Sequence, residues 1–132
     1  ESLLKKHKDD IDVVYCENDN EAFGAIDAIT AAGKTVGTGK DDILVMSFDS
    51  TKTGLTDVKD GKIILDTECN PLHGPRVEEI IKALEAGETP EKQQYVDEEI
   101  FAAVEDVDSV KVEDQDYSVT VVTDDVIKGR AY

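Results

Sequence analysis

The order of local patterns constrains this fold more than any other feature of the sequence. Short runs of β-branched and apolar residues alternate with stretches whose apolar residues recur at helical spacing. Strands are predicted at residues 12–16, 43–48 and 62–69, and helices at residues 21–32, 51–60 and 76–86. Strands that alternate with helices of this length indicate a parallel sheet with right-handed crossovers. The sequence therefore predicts an α/β fold, a three-layer αβα arrangement around a mainly parallel sheet.

The third predicted helix, residues 76–86, has the clearest pattern. Pro75 favours its start and Gly87 its end. Its apolar residues recur on one face at spacings of three and four: Val77, Ile80, Ile81 and Leu84. An amphipathic helix of this kind needs a surface that covers its apolar face.

The pattern changes after Gly87. Strands are predicted there at residues 93–97, 107–112 and 117–122, a helical turn at 98–105, and a short helix at 123–132. At the other end, residues 2–8 resemble the end of a helix, and the chain starts at Glu1 without Met. We therefore expect further protein upstream, including a secretion signal.

The composition is strongly acidic and excludes several classes of partner. Asp and Glu number 31 against 14 Lys and Arg, which gives a formal net charge of −17. Such a surface repels nucleic acid and anionic lipid, so we predict neither as a partner. No stretch of the sequence reaches the ~20 apolar residues of a transmembrane helix.

Polar side chains follow each of the three predicted strands. The carboxyl ends of parallel strands lie at one edge of a sheet, where open α/β sheets bind ligands. The polar residues that follow the strands are Glu17, Asn18, Asp19, Asp49, Ser50, Glu68, Asn70 and His73. Carboxylates and amides can bind the hydroxyls of a sugar in directed hydrogen bonds. Helix capping, worth ~1 kcal/mol, explains Asp19 and Asp49 equally well, and the two alternatives stay open at this point.

Catalytic, metal and cofactor sites are not predicted. The sequence has no nucleophile elbow and no phosphate-binding loop that follows a strand. Cys16 or Cys69 with His73 is the one candidate nucleophile and base pair, but nothing in the sequence brings them together. No acidic segment has the spacing of an EF-hand loop. We therefore expect neither an enzyme nor a metalloprotein.

Three motifs, in the expected order, resemble periplasmic sugar-binding proteins of the ribose and galactose type. The first lies in residues 10–34, where that family has an Asn-Asp-x-x-Ala-x-Gly-Ala run. It is matched here by Asn18, Asp19, Ala22, Gly24 and Ala25. The second is ILVMSFDS at residues 43–50, and the third is TECNPLHG at residues 67–74. The resemblance covers about residues 1–97 well and the remainder loosely.

The resemblance implies a fold, a site and a set of partners. The chain would be a type I periplasmic-binding-protein lobe. It would bind a monosaccharide through Asn18 and Asp49, with Asn70 as a third contact. Glu68 is a further candidate, although in a regular strand it points to the opposite face from Cys69. The family delivers its ligand to the permease of an ABC transporter and acts in the periplasm or outside the cell, with a lipid anchor left open.

The same resemblance implies that residues 1–132 form a partial carboxyl-terminal lobe, and that the amino-terminal lobe lies upstream. We therefore expect the isolated chain to bind sugar feebly and to form a homodimer by exchange through residues 76–86. Two alternatives remain at this stage. The ligand-sensing core of a LacI-type repressor shares this fold, and a small acidic enzyme belongs to a different class.

Overall fold

The structure is a computed structural model and describes residues 1–103 and 107–132. Five helices and six strands lie within these residues. The helices are α1 (Ser2–His7), α2 (Asp19–Ala31), α3 (Lys52–Lys59), α4 (Gly74–Glu85) and α5 (Asp124–Gly129). The strands are β1 (Val13–Tyr15), β2 (Leu44–Asp49), β3 (Leu65–Glu68), β4 (Ile100–Ala102), β5 (Ser109–Val112) and β6 (Gln115–Val121).

The strands form one mixed sheet in the order β1-β2-β3-β4-β6-β5. The pairs β1–β2, β2–β3 and β4–β6 are parallel, whereas β3–β4 and β5–β6 are antiparallel. The α/β class and the mainly parallel sheet are therefore confirmed. In the register of this sheet, Tyr15 lies opposite Met46 and Asp49 lies opposite Glu68.

Helices α2 and α3 contribute to one core on one face of the sheet. This follows from the topology, because two crossovers of the same hand that advance in the same direction place their helices on the same side. Val45 and Ser47 of β2 point into this face and are buried. Helix α5 packs against α3, and Lys59 bonds to Asp124 between them at 2.5 Å. The core consists of Cys16, Ala22, Ile26, Ile29, Ile43, Val45, Leu55, Val58, Ile63, Phe101 and Val122.

The opposite face of the sheet retains exposed apolar side chains. Tyr15 is 61% exposed and packs edge-on against the half-buried Phe48, with ring centroids 5.5 Å apart. Helix α4 is also uncovered, since none of its residues is buried and Val77, Ile81 and Leu84 are 49–58% exposed. No helix in the described residues combines the length and the apolar character needed to cross a bilayer.

Two predictions for the segment after α4 are wrong. Residues 93–97 form no strand, and part of the predicted helical turn at 98–105 is strand β4. Pairing with β3 accounts for the second difference, because Glu68 N–H donates to Glu99 O and Glu99 N–H donates to Glu68 Oε2. These contacts join residues about 30 positions apart, and no local pattern encodes them. Residues 104–106 of that prediction lie outside the described residues.

Two helical glycines have opposite surroundings and provide a test of this packing. Gly24 is exposed within α2, and a Cβ there would have no neighbour within 4 Å. A Cβ on Gly54, in the first turn of α3, would overlap the Asp19 carboxylate.

We expect Gly24→Ala to raise the free energy of unfolding by about 0.5–1 kcal/mol, since alanine loses less backbone entropy on folding. We expect Gly54→Ala to lower it by about 1–3 kcal/mol, because the added methyl group displaces a buried carboxylate. Urea denaturation of both variants measures the two effects. Equal stabilisation by both substitutions would contradict the close contact at Gly54.

Candidate ligand-binding edge of the sheet

The carboxyl ends of β1, β2 and β3 lie side by side and bring the predicted site residues to one edge. Asn18 follows β1 by three residues, Asp49 is the last residue of β2, and Asn70 follows β3 by two residues. Glu68 ends β3 directly opposite Asp49. The adjacency that the sequence predicts for these strand ends is therefore present in the sheet.

Asn18 and Asn70 each use the side-chain oxygen internally. Asn18 Oδ1 caps α2 by accepting a hydrogen bond from Glu21 N–H at 2.9 Å. Asn70 Oδ1 accepts from Leu72 N–H at 2.8 Å in a local turn. These bonds fix the orientation of both amides. Within the described part of the chain neither Nδ2 group has an acceptor, so both half-buried amides retain donors for a ligand.

Asp49 has an unsatisfied carboxylate at the same edge. The side chain is half-buried and accepts no hydrogen bond from a described residue. Burial raises the pKa of Asp49, and the negative charge of Asp19 raises it further. A ligand hydroxyl that donates to this carboxylate would satisfy it without adding another negative charge.

The turn that carries Asp49 is strained. Asp49 has φ 101° and Ser50 has φ 54°, so two consecutive residues with side chains adopt positive φ. Such conformations cost on the order of 1–3 kcal/mol each and persist only where surrounding contacts impose them. The helix cap lies two residues after Asp49, because Thr51 caps α3 by accepting from Gly54 N–H. The prediction that Asp49 caps this helix is wrong.

Asp19 is also not a cap, although the sequence suggested that role. It is the first residue of α2, is 1% exposed, and points into the protein. Its Oδ1 accepts from Ser47 Oγ at 2.7 Å, and its Oδ2 accepts from Thr51 N–H and Thr51 Oγ at 2.8 and 2.6 Å. The carboxylate thus joins α2, β2 and the start of α3.

Asp66 is a second buried carboxyl group, which the sequence reading did not single out. It is fully buried, and its Oδ1 accepts from Ser50 N–H and Ser50 Oγ, both at 3.1 Å. Its Oδ2 has no partner among the described residues. The pKa of Asp66 is raised to about 8, and burial is the largest cause. The negative charge of Asp19 and hydrogen bonding to Asp19 raise this pKa further. A protonated Oδ2 that donates to Asp19 accounts for the missing partner.

Glu68 is satisfied from within the protein. It is 6% exposed, and Oε1 accepts from Arg130 Nη1 at 2.9 Å and from Tyr132 O–H at 2.6 Å. Burial raises the pKa of Glu68, but the bonds from Tyr132, Glu99 N–H and Arg130 together outweigh it and leave the pKa below the usual value. Cys69, the next residue, is exposed, in agreement with the predicted alternation.

Arg130 and Tyr132 are residues of this edge that sequence reasoning missed. Arg130 Nε donates to Ser50 O at 3.0 Å, and its guanidinium lies 4.5 Å from the Tyr132 ring and 5.2 Å from the Phe101 ring. No spacing rule connects these residues to the strand ends. For Asp66 a signal did exist, because it directly follows the apolar run Ile63–Leu65 in a predicted central strand, where a carboxylate needs internal partners.

The described residues contain no group of three or more His, Cys, Asp and Glu side chains that could hold a metal ion. Both cysteines are free thiols, Cys16 buried and Cys69 exposed. Burial, and then the charge of Glu21, raises the pKa of the Cys16 thiol. The groups that this edge can present to a ligand are therefore hydrogen-bond donors and acceptors of fixed orientation.

The structure is an α/β fold in which polar side chains lie at the carboxyl ends of β1, β2 and β3. No family model matches the chain. Individual proteins do match it. The ribose import binding protein RbsB of Bacillus subtilis is 35% identical over a 97-residue alignment that covers 63% of this chain and 29% of that protein. The fructose import binding protein FruE of Bifidobacterium longum is 30% identical over 102 residues, which cover 76% of this chain and 30% of that protein.

Solved structures give the same result. A Mycobacterium smegmatis protein in complex with β-D-fucofuranose superposes with a TM-score of 0.70 at 38% identity, over 77% of this chain and 32% of that one. A galactofuranose-binding protein superposes with a TM-score of 0.65 at 30% identity, over 77% and 34%. The chain spans about 30% of the length of these two curated relatives. The predicted resemblance to one part of a sugar-import binding protein is thus confirmed.

The buried pair Asp19 and Asp66 predicts a pH-dependent stability. The folded chain holds a proton on Asp66 up to about pH 8. In the unfolded chain the pKa of an Asp side chain is about 3.9, so the proton is released near that pH. The stabilisation that this proton provides is complete below the pKa of Asp66 in the unfolded chain. It is lost as the pH rises through the pKa of Asp66 in the folded chain. We therefore expect the free energy of unfolding to fall between pH 5 and 8, by at most about 1.4 kcal/mol per pH unit.

Asp66→Asn should remove this slope, because an amide accepts from Ser50 and donates to Asp19 at every pH. Denaturant titrations at several pH values between 5 and 8 provide the measurement. Asp27→Asn, the same substitution at an exposed position of α2, is the control and should keep the wild-type slope. If the free energy of unfolding has the same pH dependence in the wild type and in Asp66→Asn, Asp66 does not hold a proton in the folded chain.

Proposed function

We propose that the chain is the carboxyl-terminal part of the solute-binding component of a sugar ABC transporter and that it binds a monosaccharide reversibly. The observation that carries this proposal is the edge formed by β1, β2 and β3. Two amides there, of Asn18 and Asn70, keep free donors, and the Asp49 carboxylate has no partner among the described residues.

The chemistry of these three groups fits a sugar. Adjacent hydroxyls of a monosaccharide both donate and accept, so an amide N–H and a carboxylate oxygen can bind neighbouring hydroxyls together. A hydroxyl bonded to a carboxylate forms a short and strong hydrogen bond. Relatives named as ribose and fructose import proteins support this assignment, as does a similar structure with bound β-D-fucofuranose. Their role in import favours transport over the repressor alternative, and reversible binding over catalysis.

Glu68 takes a supporting role in this proposal. Both of its oxygens already accept bonds from Arg130, Tyr132 and Glu99 N–H. A sugar would have to break one of these bonds to reach the carboxylate. We therefore propose Asn18, Asp49 and Asn70 as the contacts from this lobe, with Glu68 behind them.

The uncovered apolar surfaces support a larger protein with a second lobe. Tyr15 and Phe48 on the outer face of the sheet, and Val77 and Leu84 on α4, are suitable for burial against protein upstream of Glu1. In such a protein the sugar lies in the cleft between the lobes. The complete protein would act in the periplasm or outside the cell and deliver its ligand to a permease. A lipid anchor is compatible with either place.

Calorimetric titration of the complete protein with pentoses and hexoses tests the proposed function. We expect saturable binding of at least one sugar without turnover. Asp49→Asn should weaken that binding by about 10- to 100-fold, since a charged hydrogen bond is worth about 1.5–3 kcal/mol. The effect should resemble acidification of the wild type, because protonation removes the same charge.

Asp27→Asn serves as the charge control and should leave the affinity unchanged. Residues 1–132 alone should bind the same sugar feebly, because they supply one side of the cleft. Tight binding by this chain alone would contradict the two-lobe arrangement, and a complete protein that binds no sugar would contradict the function.

We further propose that the isolated chain forms a homodimer through α4. Its apolar residues Val77, Ile81 and Leu84 have no cover within the described residues. Light scattering over a range of concentrations should show a dimer, and Ile81→Glu together with Leu84→Glu should shift it to a monomer. A wild-type chain that remains monomeric at high concentration would be evidence against this interface.

A further inference from the structure

We infer that Arg130 is a positioning residue for the ligand-binding edge. Through Ser50 O its guanidinium holds the strained turn that aims Asp49 outward. The inference rests on the proposed function as far as the sugar is concerned. The contact between Arg130 and the turn is a property of the chain alone.

The turn needs external contacts to keep its conformation. Asp49 and Ser50 both have positive φ, which residues with a Cβ avoid. Without support, the backbone would move toward ordinary φ values and the Asp49 side chain would change direction. The orientation of Asp49 is therefore a consequence of what holds the residues after it.

Three side chains from distant parts of the sequence supply that support. Asp66 accepts from Ser50 N–H, and Asp19 accepts from Thr51 N–H. Arg130 donates to Ser50 O at 3.0 Å. The two carboxyl groups fix the N–H side of the turn, and Arg130 is the one described side chain that binds its carbonyl side.

Arg130 is itself held rigidly. Its side chain is 10% exposed, and its guanidinium bonds to Glu68 Oε1 and to Tyr132 Oη while lying over two aromatic rings. Glu68 is anchored in turn by Glu99 N–H beside β4. A fork of fixed donors can bind Ser50 O and Glu68 together, and this geometry is specific to arginine. Glu68 of β3 and the turn after β2 are therefore held together by Arg130.

The first test requires no ligand. In Arg130→Gln the backbone amide NMR signals of Asp49, Ser50 and Thr51 should shift, and the amide of Ser50 should exchange with solvent faster. Arg130→Lys should give an intermediate result, because one ammonium group cannot reproduce the fork. If Arg130→Gln does not fold, Tyr132→Phe provides a milder version, since it removes one hydroxyl from the same cluster.

A stability-matched control separates positioning from general destabilisation. Val58→Ala removes buried volume from the core at α3 and should lower the melting temperature without moving the signals of the turn. In the complete protein we expect Arg130→Gln to raise the sugar Kd about tenfold or more. Val58→Ala should leave the sugar Kd within about threefold, since Val58 lies near the end of α3 that is remote from the turn.

The NMR test of the turn and the sugar-binding test can give negative results independently of each other. Turn signals that stay unchanged in Arg130→Gln would overturn the positioning role, whatever the protein binds. An Arg130→Gln loss of affinity no larger than that of Val58→Ala would also overturn it. A complete protein whose turn responds as expected but which binds no sugar would instead refute the proposed function, and with it the ligand part of the inference.

Discussion

The buried carboxylate of Asp19 is the contact on which the rest of the edge depends. A charge that is 1% exposed costs several kcal/mol unless donors surround it, so Ser47 and Thr51 must lie where they do. Their positions fix the start of α3 against β2 and leave room for no side chain at Gly54. One carboxylate therefore sets the spacing of two crossover units.

The acidic side chains at this edge fall into two sets. Asp19, Asp66 and Glu68 point inward, where backbone N–H groups, hydroxyls and Arg130 bind them. Asp49 ends β2 with its carboxylate unpartnered in the described structure. The inward set holds the backbone, and the outward group remains available to a ligand. The inward carboxyl groups thus stabilise the backbone of this edge, and Asp49 is the carboxylate that the proposed ligand would contact directly.

The sequence predicts what is local and misses what is distant. The βα units, their parallel order and the place of Asn18, Asp49 and Asn70 follow from periodicity and from the rule that strand ends share an edge. Strand β4 does not follow, because β3 decides its conformation across about 30 residues. Arg130 lies 80 residues from Ser50, so no spacing reveals their contact. The cap assignments were wrong by one or two residues, a shift that turns Asp19 from the surface to the interior.

The charge around Asp49 bears on the type of ligand. A half-buried carboxylate with the charge of Asp19 behind it raises the cost of bringing any anion to this edge. A phosphate or carboxylate ligand would meet repulsion there, whereas a neutral hydroxyl donates a hydrogen bond and relieves the unsatisfied acceptor. The amides of Asn18 and Asn70 add donors without adding charge. The electrostatics of the edge therefore disfavour an anionic ligand, and the neutral sugar that we propose avoids this repulsion.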